Sequence, residues 1–445
     1  MESSRPSIED LIFKVSGLSY ELSQYLNNNE NDGWTTAEES IKVARSRLLN
    51  ILATLRDTVL GPSDRIREMA TEWASPSALR WILHFKIADH VPLLFSISYP
   101  DLAKQARVPE SQLKRIMRFT MTDSLFRETE PGHVSHTPMS ERLRSDNPLH
   151  DYLAHCLEFS MPVTTKMTEA TVRFGETDAK DHTAFNVAFD TPLPMFAWLK
   201  AHPDHAGRFG RLMHAMHASP AWDTRHLVDG YPWAELGDAK VVDVGGGLGH
   251  CSISLAKAFA RLSCVVQDLE FVVKDAAVPG DLKGRVRVQV HDFFQPQTVT
   301  DADVYMLRQV LHDWPDESAI QILKNIVPAL KKGARVLVMD QVVPAPGQLP
   351  QLEEKTARTV DLVVMSHFNG KQRGIEDWEK VFAGADSRLK IKDVRQPKGS
   401  VFAIIELVLD SVAVNGHADI STEAKTDASG NAKDDIEVKT NGLHE

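Results

Sequence analysis

The chain has 445 residues, of which 42% are apolar and 25% are charged, and its formal net charge is −11. The length favours two domains, and the negative charge argues against a nucleic-acid partner, which would need a basic face. The sequence contains no run of 18 or more apolar residues, so no membrane span is predicted. The N-terminus lacks the apolar core of a signal peptide. Three cysteines without a pattern cannot by themselves form a disulfide framework or a zinc site, so we expect a cytoplasmic protein.

Residues 1–77 are predicted to form an N-terminal helical extension. Apolar residues recur at helical spacing over residues 7–27 and again over 37–58. The Gly-Pro-Ser-Asp sequence that begins at Gly61 then combines a stop signal with a helix cap. Helices with one apolar face need a surface to pack on, and a second copy of the chain would provide it, so we expect a homodimer.

Residues 78–150 resemble a winged helix. Two short helices, 102–108 and 109–118, are joined by a tight turn, and two short strands with a Pro-Gly turn follow within 125–136. Such a unit commonly reads DNA. The second helix carries three basic residues without a wider basic field, so DNA binding is the less favoured interpretation in a chain of this charge.

A mostly helical connector is predicted over residues 151–235. Its methionine and aromatic side chains either line an apolar pocket or pack in an ordinary core, and the sequence leaves both interpretations open. The pocket candidates in this connector and further along the chain are Phe159, Met161, Phe196, Met213, Met216, Met365 and Phe368. A pocket lined by such side chains would be apolar and flat.

The stretch 240–249 begins a predicted catalytic domain over 236–410. Its β-branched valines predict a short buried strand, and Asp-x-Gly-x-Gly-x-Gly follows from Asp243 before a helix. Strand, glycine loop and helix form the opening unit of a doubly wound nucleotide-binding domain. His250 stands where a dinucleotide fingerprint needs glycine. The loop residues that would contact the ligand are Gly245, Gly246 and Gly247.

Asp243 narrows the choice of ligand for this loop. A carboxylate fits poorly beside a pyrophosphate but suits a cationic ligand. The methionine part of S-adenosylmethionine carries both an ammonium and a sulfonium group, so we predict this cofactor. The alternative is a glycine turn in some other α/β protein, because the loop alone is a weak signal.

Strands and helices alternate after the loop, which predicts a Rossmann-like α/β sheet of seven strands. The second to fifth strands are predicted at 262–268, 285–290, 302–308 and 334–340, and an antiparallel closing pair at 389–394 and 401–409. Residues 411–445 are rich in polar and charged residues, and we predict a disordered tail there.

Carboxylates at two of these strand ends suit the rest of the cofactor. Asp268, followed by Leu269, ends the second strand at about the spacing at which an acidic residue binds ribose hydroxyls. A surface aspartate at a strand end is the alternative. Asp292 and Phe293 follow the third strand, where an acceptor and an aromatic ring suit the amine and the plane of adenine.

His312 follows the fourth strand, in the sequence Leu-His-Asp-Trp. A lone histidine is often structural, but here a base is needed, because a phenol with a pKa of about 10 is a poor nucleophile until it loses its proton. Imidazole titrates near neutral pH and can accept that proton. Asp340, at the end of the next strand, could hold the imidazole in the required tautomer.

These motifs together resemble the small-molecule O-methyltransferases of the caffeate/hydroxyindole type, and in particular their fungal natural-product members. The resemblance runs from about Ala78 to Val408. It implies a winged-helix dimerisation domain, a class I S-adenosylmethionine fold and His312 as the general base. It also places Arg308 near the cofactor and Asp313 in the substrate pocket.

Two positions depart from the family pattern. The family often flanks its base with two glutamates, whereas this chain has Asp340 at the first position and Gln372 at the second. The shorter acid and the neutral amide keep hydrogen bonding but give less charge support to an imidazolium. The helical stretch before Ala78 is also longer than in plant members of the family.

We therefore predict methyl transfer from S-adenosylmethionine to a phenolic or enolic hydroxyl of an aromatic, polyketide-derived metabolite. No metal is expected, because no cluster of residues has ligand spacing. Two alternatives stay open: a decarboxylase or hydroxylase on the same scaffold, and a regulator that binds DNA through the winged helix.

Overall fold

The computed structural model describes residues 7–28, 37–147, 149–217 and 221–410. The chain begins with two long helices, α1 (Ile8–Asn28) and α2 (Glu39–Thr71), which pack along each other. The predicted stop at Gly61 is a kink within α2, because Gly61 has a non-helical φ of 69° and Pro62 follows it. The predicted tail, 411–445, lies outside the described residues.

A small mixed segment follows the long helices. Its elements are α3 (Ala74–His84), α4 (Ile87–His90), β1 (Ile97–Ser98), α5 (Tyr99–Ala106), α6 (Glu110–Thr122), β2 (Arg127–Glu130), β3 (His133–Ser135) and α7 (Pro138–Glu141). The three strands form an antiparallel sheet in the order β1-β3-β2. The two predicted short helices and the hairpin are therefore present, and they share one apolar core with α3 and α4.

The connector is helical, as its pattern predicts. It contains α8 (Leu149–Ala154), a π-helical turn (His155–Ser160), α9 (Met161–Thr164), α10 (Met167–Phe174), α11 (Ala184–Ala188), α12 (Met195–Ala201), α13 (Pro203–His217) and α14 (Arg225–Gly230). Aromatic side chains from these helices form a core that also includes Val364 and Phe368 from a much later helix. The connector is thereby fixed to the catalytic domain.

The catalytic domain is built on a seven-stranded sheet with helices on its faces. Its strands are β4 (Ala239–Val244), β5 (Leu262–Asp268), β6 (Val286–Val290), β7 (Val304–Arg308), β8 (Arg335–Asp340), β9 (Leu389–Arg395) and β10 (Ala403–Leu409). Its helices are α15 (His250–Ala258), α16 (Glu270–Val273), α17 (Asp316–Ile326), α18 (Gln351–Phe368) and α19 (Ile375–Ala385). The predicted strand bounds agree with these to within two residues.

The strand order is β6-β5-β4-β7-β8-β10-β9. The pairs among β4 to β8 are parallel, and β10 runs antiparallel to β8 and β9, which confirms the predicted closing pair. The chain moves outward in one direction from β4 to β6 and then returns to β7 on the other side of β4. A doubly wound sheet binds its ligand at this reversal, outside the carboxyl ends of the strands.

Apolar residues fill both faces of the sheet. One core lies between the sheet and α17 and α19, and the other between the sheet, α14 and α15. The valines of β4 are fully buried, as their β-branched run predicts for a strand covered on both sides. No helix among the described residues is both long and apolar enough to cross a membrane.

Candidate active site

The glycine loop at the end of β4 is fastened to the neighbouring strand. The backbone N–H groups of Gly245 and Gly246 both donate to the carbonyl of Gln267, at 2.8 and 3.1 Å. Gly245 has a φ of 71°, and a Cβ on it would lie 2.9 Å from Val310. A Cβ on Gly246 would lie 2.6 Å from the carboxyl carbon of Asp243. Only glycine therefore allows the loop to lie this close to the carboxylate beneath it.

Asp243 is buried directly under this loop. Its side chain is 2% exposed, and Ser252 Oγ donates to its Oδ2 at 2.8 Å. Burial raises the pKa of Asp243 to about 6, against the hydrogen bond from Ser252 and the positive charge of Arg308. A cation bound over the loop would stabilise the ionised form of this carboxyl group.

Asp268, at the end of β5, holds the glycine loop through a backbone hydrogen bond. Its Oδ2 accepts from the N–H of Gly247 at 2.9 Å, and its Oδ1 accepts from the N–H of Leu269 at 2.7 Å. Burial raises the pKa of Asp268, against these two backbone hydrogen bonds. Each oxygen keeps a second lone pair, so the side chain is held in place and can still accept hydrogen bonds from a diol.

The end of β6 brings an aromatic ring to the loop. Phe293 lies against Gly245, where a Cβ on the glycine would be 3.6 Å from the ring, and it meets the ring of Trp314 edge to face at 5.7 Å. Asp292 accepts from the N–H of Phe294 at 2.9 Å, which fixes its side chain at the strand end. The ring of Phe293 thus stands beside the glycine loop, and Asp292 is held next to it in the chain.

Arg308 ends β7, the strand next to β4. Its Nη2 donates to the carbonyl of Trp222 at 2.8 Å, while its Nε is buried without a partner among the described residues. The next residue, Gln309, has a φ of 54°, which is uncommon for a side chain with a Cβ. Such strain in the backbone is often found at functional sites.

His312 lies in the 3₁₀ turn Leu311–Asp313, and it is 8% exposed. Its Nδ1 is 2.8 Å from Nε2 of Gln372 and 3.9 Å from Oδ1 of Asp340. Its Nε2 is 3.5 Å from Oδ1 of Asp313. The two residues that depart from the family pattern are therefore both beside the imidazole, and the amide makes the closer contact.

The His312 turn is held by a buried guanidinium. Arg373 is fully buried and donates to the carbonyls of Leu311 and Trp314, at 3.0 and 2.7 Å, and to Asp316 at 2.8 Å. Nothing in the sequence pattern singled out Arg373. Its neighbour in the same loop, Gly370, packs so closely that a Cβ would lie 2.5 Å from the carbonyl oxygen of His312.

Asp340 is the least satisfied group of the site. It is completely buried, and neither of its oxygens makes a hydrogen bond within the described residues. Burial raises the pKa of Asp340 to about 6, although the neighbouring His312 favours its charged form. An unpaired buried carboxylate destabilises the fold, and such perturbed groups often occur at functional sites.

One cavity of about 390 Å³ joins the glycine loop to His312 and continues beyond it. The loop and β7 form one end, with Gly245, Gly246, Gly247, Asp243 and Arg308. The remaining wall is mostly apolar and comes from the connector and α18. Its lining residues include His155, Phe196, Met213, Val360, Val363, His367 and Phe368.

Several predicted pocket residues lie elsewhere. Phe159 is in the aromatic core of the connector, Met161 packs against the N-terminal core, and Met365 is 42% exposed. Met365 differs from the prediction because α18 presents residues 360, 363, 364, 367 and 368 to the cavity, and position 365 falls on another face. The side chain of Met216 is outside the described residues. Gln372 does not line the cavity and instead contacts Nδ1 of His312.

Two histidines of the wall, His155 and His367, were not predicted from the sequence. His367 follows Thr359 and Val363 at intervals of four residues, so the helical spacing of α18 was a usable signal once one of these residues was known to face the cavity. His155 had no such signal, because it lies in a π-helical turn that shifts the usual spacing.

Two family models match the chain. An O-methyltransferase dimerisation domain matches residues 68–146, and an O-methyltransferase domain matches residues 167–387. The O-methyltransferase bik3 of Gibberella fujikuroi is 38% identical over 379 residues, covering 84% of each chain. The chain belongs to the O-methyltransferase family. The resemblance noted in the sequence is thereby confirmed, and the enzyme is an S-adenosylmethionine-dependent O-methyltransferase.

Solved structures agree with this assignment. The crystal structure of OxaC has a TM-score of 0.73 at 23% identity, covers 91% of this chain and 99% of its own, and shows the shared fold. NcsB1, an O-methyltransferase from neocarzinostatin biosynthesis, was solved with S-adenosyl-L-homocysteine and 1,4-dihydroxy-2-naphthoic acid. It has a TM-score of 0.63 at 26% identity and covers 76% of this chain and 97% of its own. The dimerisation domain indicates that the enzyme acts as a homodimer.

Replacing Asp340 with asparagine should stabilise the enzyme at neutral pH while lowering its turnover. A carboxyl group whose pKa is raised to about 6 in the fold, from 3.8, is ionised at pH 7 at a cost of about 3 kcal/mol. Asp340→Asn removes this cost. Its advantage in free energy of unfolding over the wild type should shrink as the pH falls from about 6 to 4, where both states of the wild type bind the proton.

Asp386 provides a matched control, at which the same substitution should change the free energy of unfolding in the opposite direction. Hydrogen bonds from Arg388 lower the pKa of Asp386 to about 2. This carboxyl stabilises the fold above its unfolded pKa, so Asp386→Asn should be less stable than the wild type at pH 7. Urea unfolding of both variants between pH 4 and 7.5 makes the comparison. An Asp340→Asn protein that is less stable than the wild type throughout would contradict our account of this carboxylate.

Proposed function

We propose that the enzyme methylates a phenolic or enolic hydroxyl of an aromatic, polyketide-derived metabolite, with His312 as the general base. The observation that carries this proposal is the single cavity that joins the glycine loop, His312 and an apolar wall. A donor bound at the loop and a flat acceptor held by the wall would meet beside the imidazole. Alignment and removal of one proton are then the main contributions of the protein.

Residues at the strand ends fit S-adenosylmethionine, whose sulfonium supplies the methyl group when the cofactor is bound. The close approach at Gly246 leaves room for its methionine part above the carboxylate of Asp243. Asp268 has free lone pairs for the ribose hydroxyls, with Leu269 beside it. Asp292 and Phe293 provide an acceptor and a ring for the adenine. Arg308 lines the cavity beside the loop, and its Nε has no partner among the described residues.

A base at His312 needs its Nε2 free of hydrogen, so the proton must reside on Nδ1. A carbonyl oxygen beside Nδ1 would fix that tautomer, whereas an amide N–H there would favour the opposite one. Gln372 Oε1 has no partner among the described residues, and a half-turn of the amide would place it 2.8 Å from Nδ1. We assign this orientation to the working enzyme, with Gln372 selecting the tautomer and Asp340 stabilising the imidazolium.

The class of acceptor follows from the wall. Aromatic and aliphatic side chains such as Phe196, Val360 and Phe368 favour a flat apolar molecule, and Phe196 and Phe368 stack at 5.1 Å. NcsB1 provides a parallel, because it was solved in complex with both S-adenosyl-L-homocysteine and 1,4-dihydroxy-2-naphthoic acid. A phenol or enol is the hydroxyl of such molecules that an imidazole can deprotonate, since its pKa is far below that of an alcohol.

Replacing His312 with alanine should lower turnover of an ordinary naphthol by about 10²- to 10⁴-fold, because the hydroxyl keeps its proton. Affinity for S-adenosylhomocysteine should not change. A nitro-substituted naphthol that ionises near neutral pH needs no base, so the same variant should lose far less activity on it. Methyl transfer is measured by mass spectrometry of the product. An equal loss on both substrates, or no loss on either, would refute the role of His312 as base.

Replacing Asp268 with alanine should weaken binding of S-adenosylhomocysteine by about 10- to 100-fold, because hydrogen bonds from hydroxyls to a carboxylate are lost. Isothermal titration calorimetry measures this directly. Asp238, an exposed aspartate paired with Arg261, serves as the control, and Asp238→Ala should bind like the wild type. Unchanged affinity in the Asp268 variant would remove its ribose role.

A further inference from the structure

The cavity wall beyond His312 contains a buried imidazole that the proposed reaction does not use. His367 lies at the end of α18, is 2% exposed, and lines the cavity on the same helical face as Val360 and Val363. Three residues further on, Gly370 packs against the backbone of His312. The backbone from His367 to Gly370 spans at most about 11 Å, and His367 and His312 line the same cavity.

The tautomer of His367 is fixed by its own helix. Its Nδ1 lies 2.8 Å from the carbonyl oxygen of Val363, and a carbonyl can only accept, so Nδ1 carries the hydrogen. Ser366 Oγ lies close to the same nitrogen, at 3.0 Å, and bonds to the same carbonyl. Nε2 therefore presents a lone pair. It is buried and has no partner among the described residues.

The surroundings of His367 keep it neutral. Burial lowers the pKa of His367 to about 4, and burial together with the neighbouring His367 lowers the pKa of His155 to about 4. The side chains that line this end of the cavity with His367 are uncharged: Tyr152, His155, Cys156, Ser160, Phe196 and Phe209. The nearest guanidinium, on Arg208, is paired with Glu158 at 2.6 Å. This end suits an uncharged ligand that brings a hydrogen-bond donor.

We propose that Nε2 of His367 accepts a hydrogen bond from a second hydroxyl of the substrate, remote from the hydroxyl that is methylated. The enzyme would thus select aromatic diols over mono-hydroxylated molecules of the same shape. The proposal rests on the proposed function for the aromatic class of the substrate. A bound aromatic substrate displaces water from this end of the cavity, so a substrate without the donor leaves Nε2 unpaired. Leaving a buried acceptor unpaired is the strongest form of discrimination that a hydrogen bond gives.

Two amide substitutions distinguish the role of Nδ1 of His367 from that of Nε2. In His367→Asn the amide N–H replaces Nδ1 and keeps the bond to Val363, but nothing replaces Nε2. In His367→Gln the longer side chain carries its amide to the position of Nε2 and can accept there. His202→Leu serves as a control, because His202 bonds to the carbonyl of Trp198 and does not line the cavity.

Binding is measured by calorimetry with enzyme saturated with S-adenosylhomocysteine, using 1-naphthol and the 1,3-, 1,6- and 1,8-dihydroxynaphthalenes as probes. At least one diol should bind the wild type about 3- to 10-fold more tightly than 1-naphthol. This preference should disappear in His367→Asn and persist in His367→Gln and His202→Leu. Thermal unfolding and affinity for S-adenosylhomocysteine confirm that each variant is folded.

The proposal is overturned if no diol binds more tightly than 1-naphthol, or if the preference survives in His367→Asn. These outcomes are independent of methyl transfer, since the assay contains no methyl donor. Incubation of the same probes with S-adenosylmethionine tests the proposed function separately. Diols that bind with the expected preference but gain no methyl group would contradict the phenolic reaction and leave the assignment of His367 standing.

Discussion

The site depends on one buried guanidinium. Arg373 connects the turn that carries His312 to the loop that carries Gln372, through the carbonyls of Leu311 and Trp314 and the carboxylate of Asp316. Hydrogen bonds from Arg373 and Lys371 lower the pKa of Asp316 despite its partial burial, so the ion pair keeps its charge. A buried charge is tolerated only when its hydrogen bonds are made. The same bonds that satisfy Arg373 therefore set the distance between the imidazole and the amide.

At two other aspartates of the site, Asp243 and Asp340, burial outweighs the interactions that favour the charged form. Asp243 and Asp340 both have a pKa raised to about 6, in each case chiefly because burial disfavours the charged form. Both face positions where positive charge is expected, the first under the methionine ammonium and the second beside the imidazolium. An environment that is unfavourable to a lone carboxylate becomes favourable once a cation is present, because a low dielectric strengthens the attraction. The two carboxylates thus lower the stability of the free enzyme, and this loss is offset only when a cation is bound or forms beside them.

The sequence predicted the sheet well and the pocket poorly, and the reason is physical. Buried parallel strands are continuous β-branched runs. Asp243 and Asp268, which we propose contact the cofactor, lie at strand ends, so local pattern and topology together place them. The pocket wall combines helices of the connector with α18, which follows much later in the chain. Which side chains line the cavity depends on how each helix is turned about its own axis. Met365 and Phe368 have similar apolar character in the sequence, yet only Phe368 lines the cavity. Arg373 was missed for a related reason, since most of its partners are backbone carbonyls, which a sequence pattern does not reveal.

The two ends of the cavity are built differently, which explains why membership of the family does not identify the substrate. The cofactor end is made of glycines and strand-end carboxylates, whose positions the fold dictates. The far end is made of side chains on helices, where a substitution changes shape or polarity without disturbing the sheet. Among these uncharged residues, His367 has its Nδ1 bonded to its own helix and its Nε2 left without a partner in the described structure. A polar atom that the fold leaves unsatisfied in an uncharged, mostly apolar wall is the feature most able to distinguish one flat molecule from another.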